Sequence, residues 1–184
     1  MNGFEVEVLH KLHDALSCKF MDKAMTVISL LGDKGLFFIA FSLMLICIPK
    51  TRKMGISCGG ALLMGLIIAN IILKPLCGRV RPFVFDGEIE LIIKRLEDFS
   101  FPSGHTLAAF EVAVPMMYYD KRFGIPFLVL AFLMMLSRMY LFMHYPTDVL
   151  AGALLGTALG LLSVFTVKKV YRKYGFDKTI KTEQ

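Results

Sequence analysis

Long apolar runs free of charge set the architecture of this chain. Residues 54–73, 123–136 and 149–167 contain no Asp, Glu, Lys or Arg, and residues 35–48 form a shorter run of the same kind. Residues 104–119 form a fifth, interrupted only by Glu111. A membrane-crossing helix needs about twenty such residues, and fewer where its ends sit in protein or headgroups. The shortest run is extended by starting near Ala24, with Lys34 snorkelling to the surface. The pattern predicts an all-α integral membrane bundle of about five transmembrane helices.

Other stretches follow a different rhythm. Phe4, Val8, Leu12 and Leu16 recur every four residues, with Leu9 beside them and charges opposite. That spacing predicts an N-terminal amphipathic helix lying in the membrane interface. Residues 21–31 are apolar but stop at Gly32 and Asp33, which predicts a short half-inserted helix. Between the second and third runs, Ile89, Ile92, Ile93 and Leu96 share a helical face backed by Glu88, Lys94, Arg95 and Glu97. A helix here would pack on the bundle, flank the substrate entrance as a lid, or do both. The whole, residues 1–184, reads as one membrane-embedded domain. Interfacial helices occupy 1–33, a core occupies 54–167, and a cytoplasmic tail occupies 168–184, frayed from 175 onwards.

Composition and charge narrow the classes. With 56% hydrophobic residues and a mean hydropathy of +0.63, a soluble globule is excluded for want of polar surface. The net charge of +6 would suit nucleic acid, but its placement argues for membrane topology instead. Lys50, Arg52 and Lys53, then Lys121 and Arg122, then Lys168, Lys169, Arg172 and Lys173 all fall on one side of a five-span bundle. That side is cytoplasmic by the positive-inside rule. The opening residues lack the basic and apolar regions of a signal peptide. Cys18, Cys47, Cys58 and Cys77 show no metal-ligand spacing; Cys47 and Cys58 read as small apolar packing residues.

Candidate chemistry gathers at the opposite side, in three clusters. The first runs from Lys74, at the end of an apolar helix, to Arg81 and Pro82. An ammonium and a guanidinium fork are complementary tools for phosphate oxygens. The second, Pro102, Ser103, Gly104 and His105, is a helix start. Ser103 is a good N-cap, Gly104 admits an anion to the backbone N–H groups, and His105 stands where it can hydrogen-bond an ester oxygen. The third contains Ser137 and Arg138, then His144 and Asp148. A charge such as Arg138 beside an apolar span is costly and functional by default. Pro146 suits the first turn of the next helix, and Asp148 lies one turn beyond His144. The carboxylate can then fix the imidazole tautomer, leaving histidine as a nucleophile for phosphoryl transfer without a metal. Glu111 and Asn70 are candidate substrate-pocket residues, with helix-to-helix hydrogen bonding as their alternative role.

These three clusters, Lys-x6-Arg-Pro, Pro-Ser-Gly-His and Ser-Arg-x5-His-x3-Asp, resemble the signatures of the membrane-bound type 2 phosphatidic-acid phosphatase family. The family also embraces acid phosphatases and vanadium haloperoxidases. Every signature position matches, over about residues 54–167, and the short chain with a front helix looks most like small bacterial undecaprenyl-diphosphate phosphatases. The resemblance implies that Lys74, Arg81 and Arg138 bind phosphate oxygens with Ser103 and Gly104 assisting. It implies that His144 forms a phosphohistidine, that Asp148 orients it, and that His105 protonates the leaving oxygen and later activates water. It implies no cofactor and no metal.

The expected activity is hydrolysis of a lipid phosphate or diphosphate taken from the bilayer, at a site facing the extracytoplasmic side, with no nucleic-acid partner. Undecaprenyl diphosphate is the first substrate. Phosphatidic acid and phosphatidylglycerol phosphate are alternatives, as is a small soluble ester. A non-catalytic lipid receptor or transporter would be expected to lose His144, which is present. Haloperoxidase chemistry does not suit so small a hydrophobic bundle. Oligomeric state is not legible in the pattern.

Overall fold

A computed structural model describes residues 2–174 except 88 and 90. The tail from 175 onwards and Glu88 of the expected lid helix lie outside the described residues. All regular structure among the described residues is helical. The chain opens with α1 (Asn2–Leu16), α2 (Lys19–Leu31) and, after a tight turn at Asp33–Gly35, α3 (Leu36–Cys47). Lys34 and Gly35 both adopt positive φ in that turn, so the helix cannot continue straight, and α2 and α3 meet with a 41° bend. Next come α4 (Arg52–Gly65), a π-helical stretch (Leu66–Leu73), α5 (Lys74–Cys77) and α6 (Pro82–Asp86). The last three helices are α7 (Gly104–Tyr119), α8 (Lys121–Tyr140) and α9 (Pro146–Tyr174).

Among the described residues, three stretches are long and apolar enough to cross a membrane: Arg52–Asp86, Lys121–Tyr140 and Pro146–Tyr174. The bent α2–α3 pair passes the same test only when its two arms are taken together as one span. The expected five is not reached on length, because α7 has only 16 residues. Residues 21–31 form the first arm of that bent apolar pair. The chain is a multi-pass membrane protein, and its exposed surface agrees: Leu43, Leu63, Leu154 and Phe165 all face outward.

α7 is the centre of the bundle, wrapped by α4, α8 and α9. Close approach depends on absent side chains. A Cβ at Gly156 would lie 2.6 Å from the Leu107 carbonyl oxygen, so α9 seats on α7 through bare backbone. Phe38, Leu45, Cys58, Val112, Met116 and Met134 fill the core around it. Cys58 is buried as expected, whereas Cys47 is exposed.

The basic clusters meet at one end. Lys53 lies 5.0 Å over the Tyr171 ring, and Lys168 donates to the Tyr118 hydroxyl at 2.5 Å. The end of the π-helical stretch, the start of α7, the end of α8 and the start of α9 converge at the other end.

One expectation fails there, and α1 sharpens another. Residues 91–101 form no helix. Ile89, Leu91 and Ile93 pack in alternation against Phe83, Leu141, Met143 and Phe142, while Ile92 is exposed. The segment is non-helical, half-buries Ile89, Leu91, Ile93 and Leu96 and exposes Ile92, so the expected helical face does not form. In α1 the buried face is Glu5, Val6 and Leu9, with Phe4 exposed. The helix packs on Phe142 and Tyr145 through Val6 and Leu9 and leaves Phe4 outward, as a helix lying in the membrane interface does.

Candidate active site

The backbone builds the site before any side chain acts. Gly78 ends α5 in the left-handed conformation (φ 56°), a turn that glycine adopts without steric cost. The chain then doubles back as Arg79–Arg81 and α6 begins at Pro82. On the far side, the Arg138 carbonyl accepts both Met143 N–H (3.0 Å) and His144 N–H (3.2 Å), tying the α8–α9 turn back onto α8. The Ser103 N–H donates to the Asp148 carbonyl at 3.1 Å and joins the starts of α7 and α9.

A single cavity of about 700 Å³ receives Lys74, Arg81, Gly104, His105 and His144. Asn70 and Glu111 line the same space. Seven of the ten sequence-predicted residues thereby share one cavity, while Ser103, Arg138 and Asp148 are buried outside its lining. A Cβ at Gly104 would sit 3.4 Å from Asn70 Oδ1 and 3.7 Å from Lys74 Nζ, so glycine keeps open a cradle under the ammonium. Arg138 is 1% exposed; it donates through Nη1 to Ser29, while its Nε and Nη2 have no partner among the described residues. A buried guanidinium with two idle donors is suited to a doubly bonded anion.

His144 is 1% exposed, and Arg81 Nη1 approaches its Nε2 at 3.3 Å. A guanidinium has no acceptor, so Nε2 carries the lone pair and Nδ1 the proton. Burial, followed by the charges of Arg81, Arg138 and Lys74, holds the imidazole well below its ordinary value, with the Ser100 backbone acting in the opposite direction. The ring is thus neutral and nucleophilic at neutral pH.

The partner of Nδ1 is less direct than the i,i+4 spacing suggested. Asp148 Oδ2 stands 3.6 Å away, beyond a hydrogen bond. That oxygen accepts from Ser100 Oγ (2.5 Å) and from Tyr145 N–H (3.0 Å). Ser103 is the N-cap by position only: its hydroxyl pairs with Thr106 Oγ1 at 3.0 Å rather than with a helix N–H.

Several residues escaped the sequence reading. The Asp98 carboxylate bridges Lys74 and Arg81, pairing with Lys74 Nζ and accepting from Arg81 Nη2 at 2.6 Å. Burial alone would raise this acid, but the Lys74 hydrogen bond and the Arg81 and Lys74 charges outweigh it and hold it at about 2. Arg79 reaches Asp148 Oδ1 at 2.5 Å and pairs with Glu5. Arg79 and Ser100 each lie two residues before a signature residue, Arg81 and Pro102, and that proximity was the available signal.

Comparison with known proteins agrees with this geometry. Residues 55–172 match the PAP2 superfamily. The chain is 31% identical to an undecaprenyl-diphosphatase of Sulfolobus acidocaldarius, over 88% of this chain and 78% of that protein. It is 31% identical to the bacitracin transport permease protein BcrC of Bacillus licheniformis, over 78% of this chain and 72% of that protein. Its fold superposes on the transmembrane PAP2-type phosphatidylglycerolphosphate phosphatase of Bacillus subtilis with a TM-score of 0.67 at 25% identity, covering 91% of this chain and 86% of the other. The chain belongs to the PAP2 superfamily, as a membrane-bound lipid phosphatase.

Proposed function

We propose that the protein releases the terminal phosphate of undecaprenyl diphosphate at the outer face of the membrane, through a phosphohistidine on His144. The carrying observation is the continuity of the cavity. From the cationic cradle it runs between α3 and α4 along Ile39, Leu43, Leu63 and Leu66, all of which remain on the molecular surface. A headgroup can therefore enter the cradle while its hydrocarbon chain stays in a groove open to the bilayer. The undecaprenyl-diphosphatase relative supports a prenyl chain in that groove. The basic clusters at the opposite end support an outward-facing site.

In this reading His144 Nε2 attacks the terminal phosphorus and the bridging oxygen leaves, protonated by His105. Lys74, Arg81 and Arg138, with the amides around Gly104, neutralise the equatorial oxygens. Water, deprotonated by His105, then attacks the phosphohistidine and returns phosphate. A second reading, a glycerolipid phosphate, draws on Glu111. Its Oε1 has no partner among the described residues, and it lies about 9 Å along α7 from His105. It could serve a polar group on the lipid just below the phosphate.

The test is phosphate release by purified protein from undecaprenyl diphosphate, phosphatidic acid and phosphatidylglycerol phosphate. The highest kcat/KM is expected on the prenyl diphosphate; a clear preference for a glycerolipid, lost in Glu111→Leu, would overturn that in favour of the second reading. Because fixed cations stabilise the charge, release should withstand EDTA. Activity lost on chelation and restored by Mg²⁺ would refute the mechanism.

A further inference from the structure

Asp148 is fully buried, yet the side chains that hold its carboxylate, Ser100 and Arg79, are not among the named residues of the three signatures. One oxygen is held by Ser100 and the Tyr145 N–H; the other accepts from Arg79 Nη1 at 2.5 Å. The same Nη1 reaches Thr147 Oγ1 at 2.7 Å, and the guanidinium lies 4.0 Å over the Tyr145 ring. Arg79 is thereby wedged against the turn that carries His144.

Its other nitrogen pairs with Glu5, a carboxylate buried on the inner face of α1. Glu5 Oε1 also accepts from the Thr147 N–H at 3.1 Å and from Thr147 Oγ1 at 2.7 Å, at the first turn of α9. A buried carboxylate in an N-terminal helix is costly unless it is paired, and its bonds among the described residues go to Arg79, which holds Asp148, and to Thr147 beside it.

We infer that Arg79 and Glu5 form a clamp that positions the nucleophile, Arg79 fixing the Asp148 carboxylate and Glu5 fixing both Arg79 and the start of α9. The N-terminal helix α1 thus completes the active site instead of only anchoring the protein at the membrane surface. The inference rests on the reading of His144 as nucleophile. Arg79 and Glu5 are positioning residues, acting on phosphate only through Asp148 and His144. The Arg79 cation also offsets the Asp148 charge that would otherwise draw a second proton onto the imidazole. The other groups facing that ring are cationic or neutral: Arg81 at Nε2, with Arg138, Lys74 and His105 around it. Asp98 is occupied by Lys74 and Arg81.

The test compares Arg79→Gln, Arg79→Lys and Glu5→Gln in the full-length protein in nanodiscs, on a lipid phosphate. For Arg79→Gln, kcat should fall about tenfold to a hundredfold with KM within about twofold, because no group that touches phosphate has changed. Its acid limb should move to higher pH as the uncompensated Asp148 favours the imidazolium. Arg79→Lys keeps the cation, so it should keep the acid limb and recover part of kcat. Glu5→Gln should lose less than Arg79→Gln. An independent readout is ¹⁵N-histidine NMR: the chain has four histidines, and His144 is assigned by its loss in His144→Ala. Its Nδ1–H tautomer should dominate in the native protein and give way to a mixture with the Nε2–H tautomer in Arg79→Gln, where the Asp148 carboxylate is no longer held in place. Native kinetics and an unchanged His144 spectrum, with only a lower melting temperature, would reduce the network to a staple for α1 and overturn the inference. Absence of phosphate release by the native protein would defeat the functional reading alone, and the NMR would still decide the clamp.

Discussion

His144 lines one wall of the cavity with Arg138 and Asp148 in the same part of the fold, and all three are almost completely buried, with the α8–α9 turn bonded to Arg138 and the start of α9 to the start of α7. The facing wall is Lys74 at the end of a π-helical stretch, together with the non-helical segment up to Pro102. There the Asp98 side chain is 50% exposed while it holds both cations. The nucleophile side is fixed by bonds that substrate does not disturb. The cation side is held by a bond that an arriving phosphate must replace. A lipid phosphatase needs both: attack geometry set in advance, and an entrance that rearranges around a bulky substrate.

The largest effects should come from the fixed wall. With His144 as the proposed nucleophile, His144→Ala should lower turnover on any ester by several orders of magnitude and no acid-labile phosphoenzyme should be trapped. His105→Ala leaves the nucleophile and removes the proton donor. Its deficit should be severe on an alkyl phosphate and shrink on p-nitrophenyl phosphate, whose leaving group scarcely needs protonation. Rescue of His144→Ala, and not of His105→Ala, by the better leaving group would reverse the two roles.

A smaller loss should follow from prising the fixed wall apart without touching a reacting group. A Cβ at Gly152 would lie 2.8 Å from the Ser103 carbonyl oxygen and 3.3 Å from Thr106 Cβ, where α9 meets the start of α7. Backbone cannot yield as a flexible side chain does, so Gly152→Ala should push His144 away from the Gly104 cradle. About tenfold to a hundredfold in kcat is expected from a displacement near one ångström. Native kcat with only a lowered melting temperature would show that the wall tolerates movement.

The two walls also differed in how far sequence reached them. Arg138, His144 and Asp148 were legible because each is a costly polar residue beside apolar helices, at spacings that one helical turn explains. The path between Asp148 and His144 was not, because Ser100 and Arg79 reach it from distant parts of the chain. Ile89, Ile92, Ile93 and Leu96 fit a helical face by number alone, and only packing against Phe83 and Met143 distinguished a non-helical strap. The bundle's ends were clear from the basic clusters, whereas α7, short and enclosed, falls below the length that marks a crossing by itself.

The mildest change should come from the adjustable wall, and its sign decides what Asp98 does. Its acid is held at about 2, below the ordinary carboxylate value. The stabilisation this pairing contributes is present above that ordinary value and lost only as pH falls through about 2. Between pH 5 and 8 Asp98 therefore stays ionised, and any limb of the pH profile in that range belongs to other groups. Phosphate must then displace an ionised carboxylate from Lys74 and Arg81. Asp98→Asn should weaken that competitor, so vanadate and phosphate should inhibit at several-fold lower concentration with kcat nearly preserved. If Asp98 instead shapes Arg81, whose Nε also donates to the Asp98 carbonyl at 2.8 Å, inhibition should weaken and kcat fall. Inhibition constants for vanadate in the native protein and in Asp98→Asn separate the two, because a displaced competitor and a lost support move them in opposite directions.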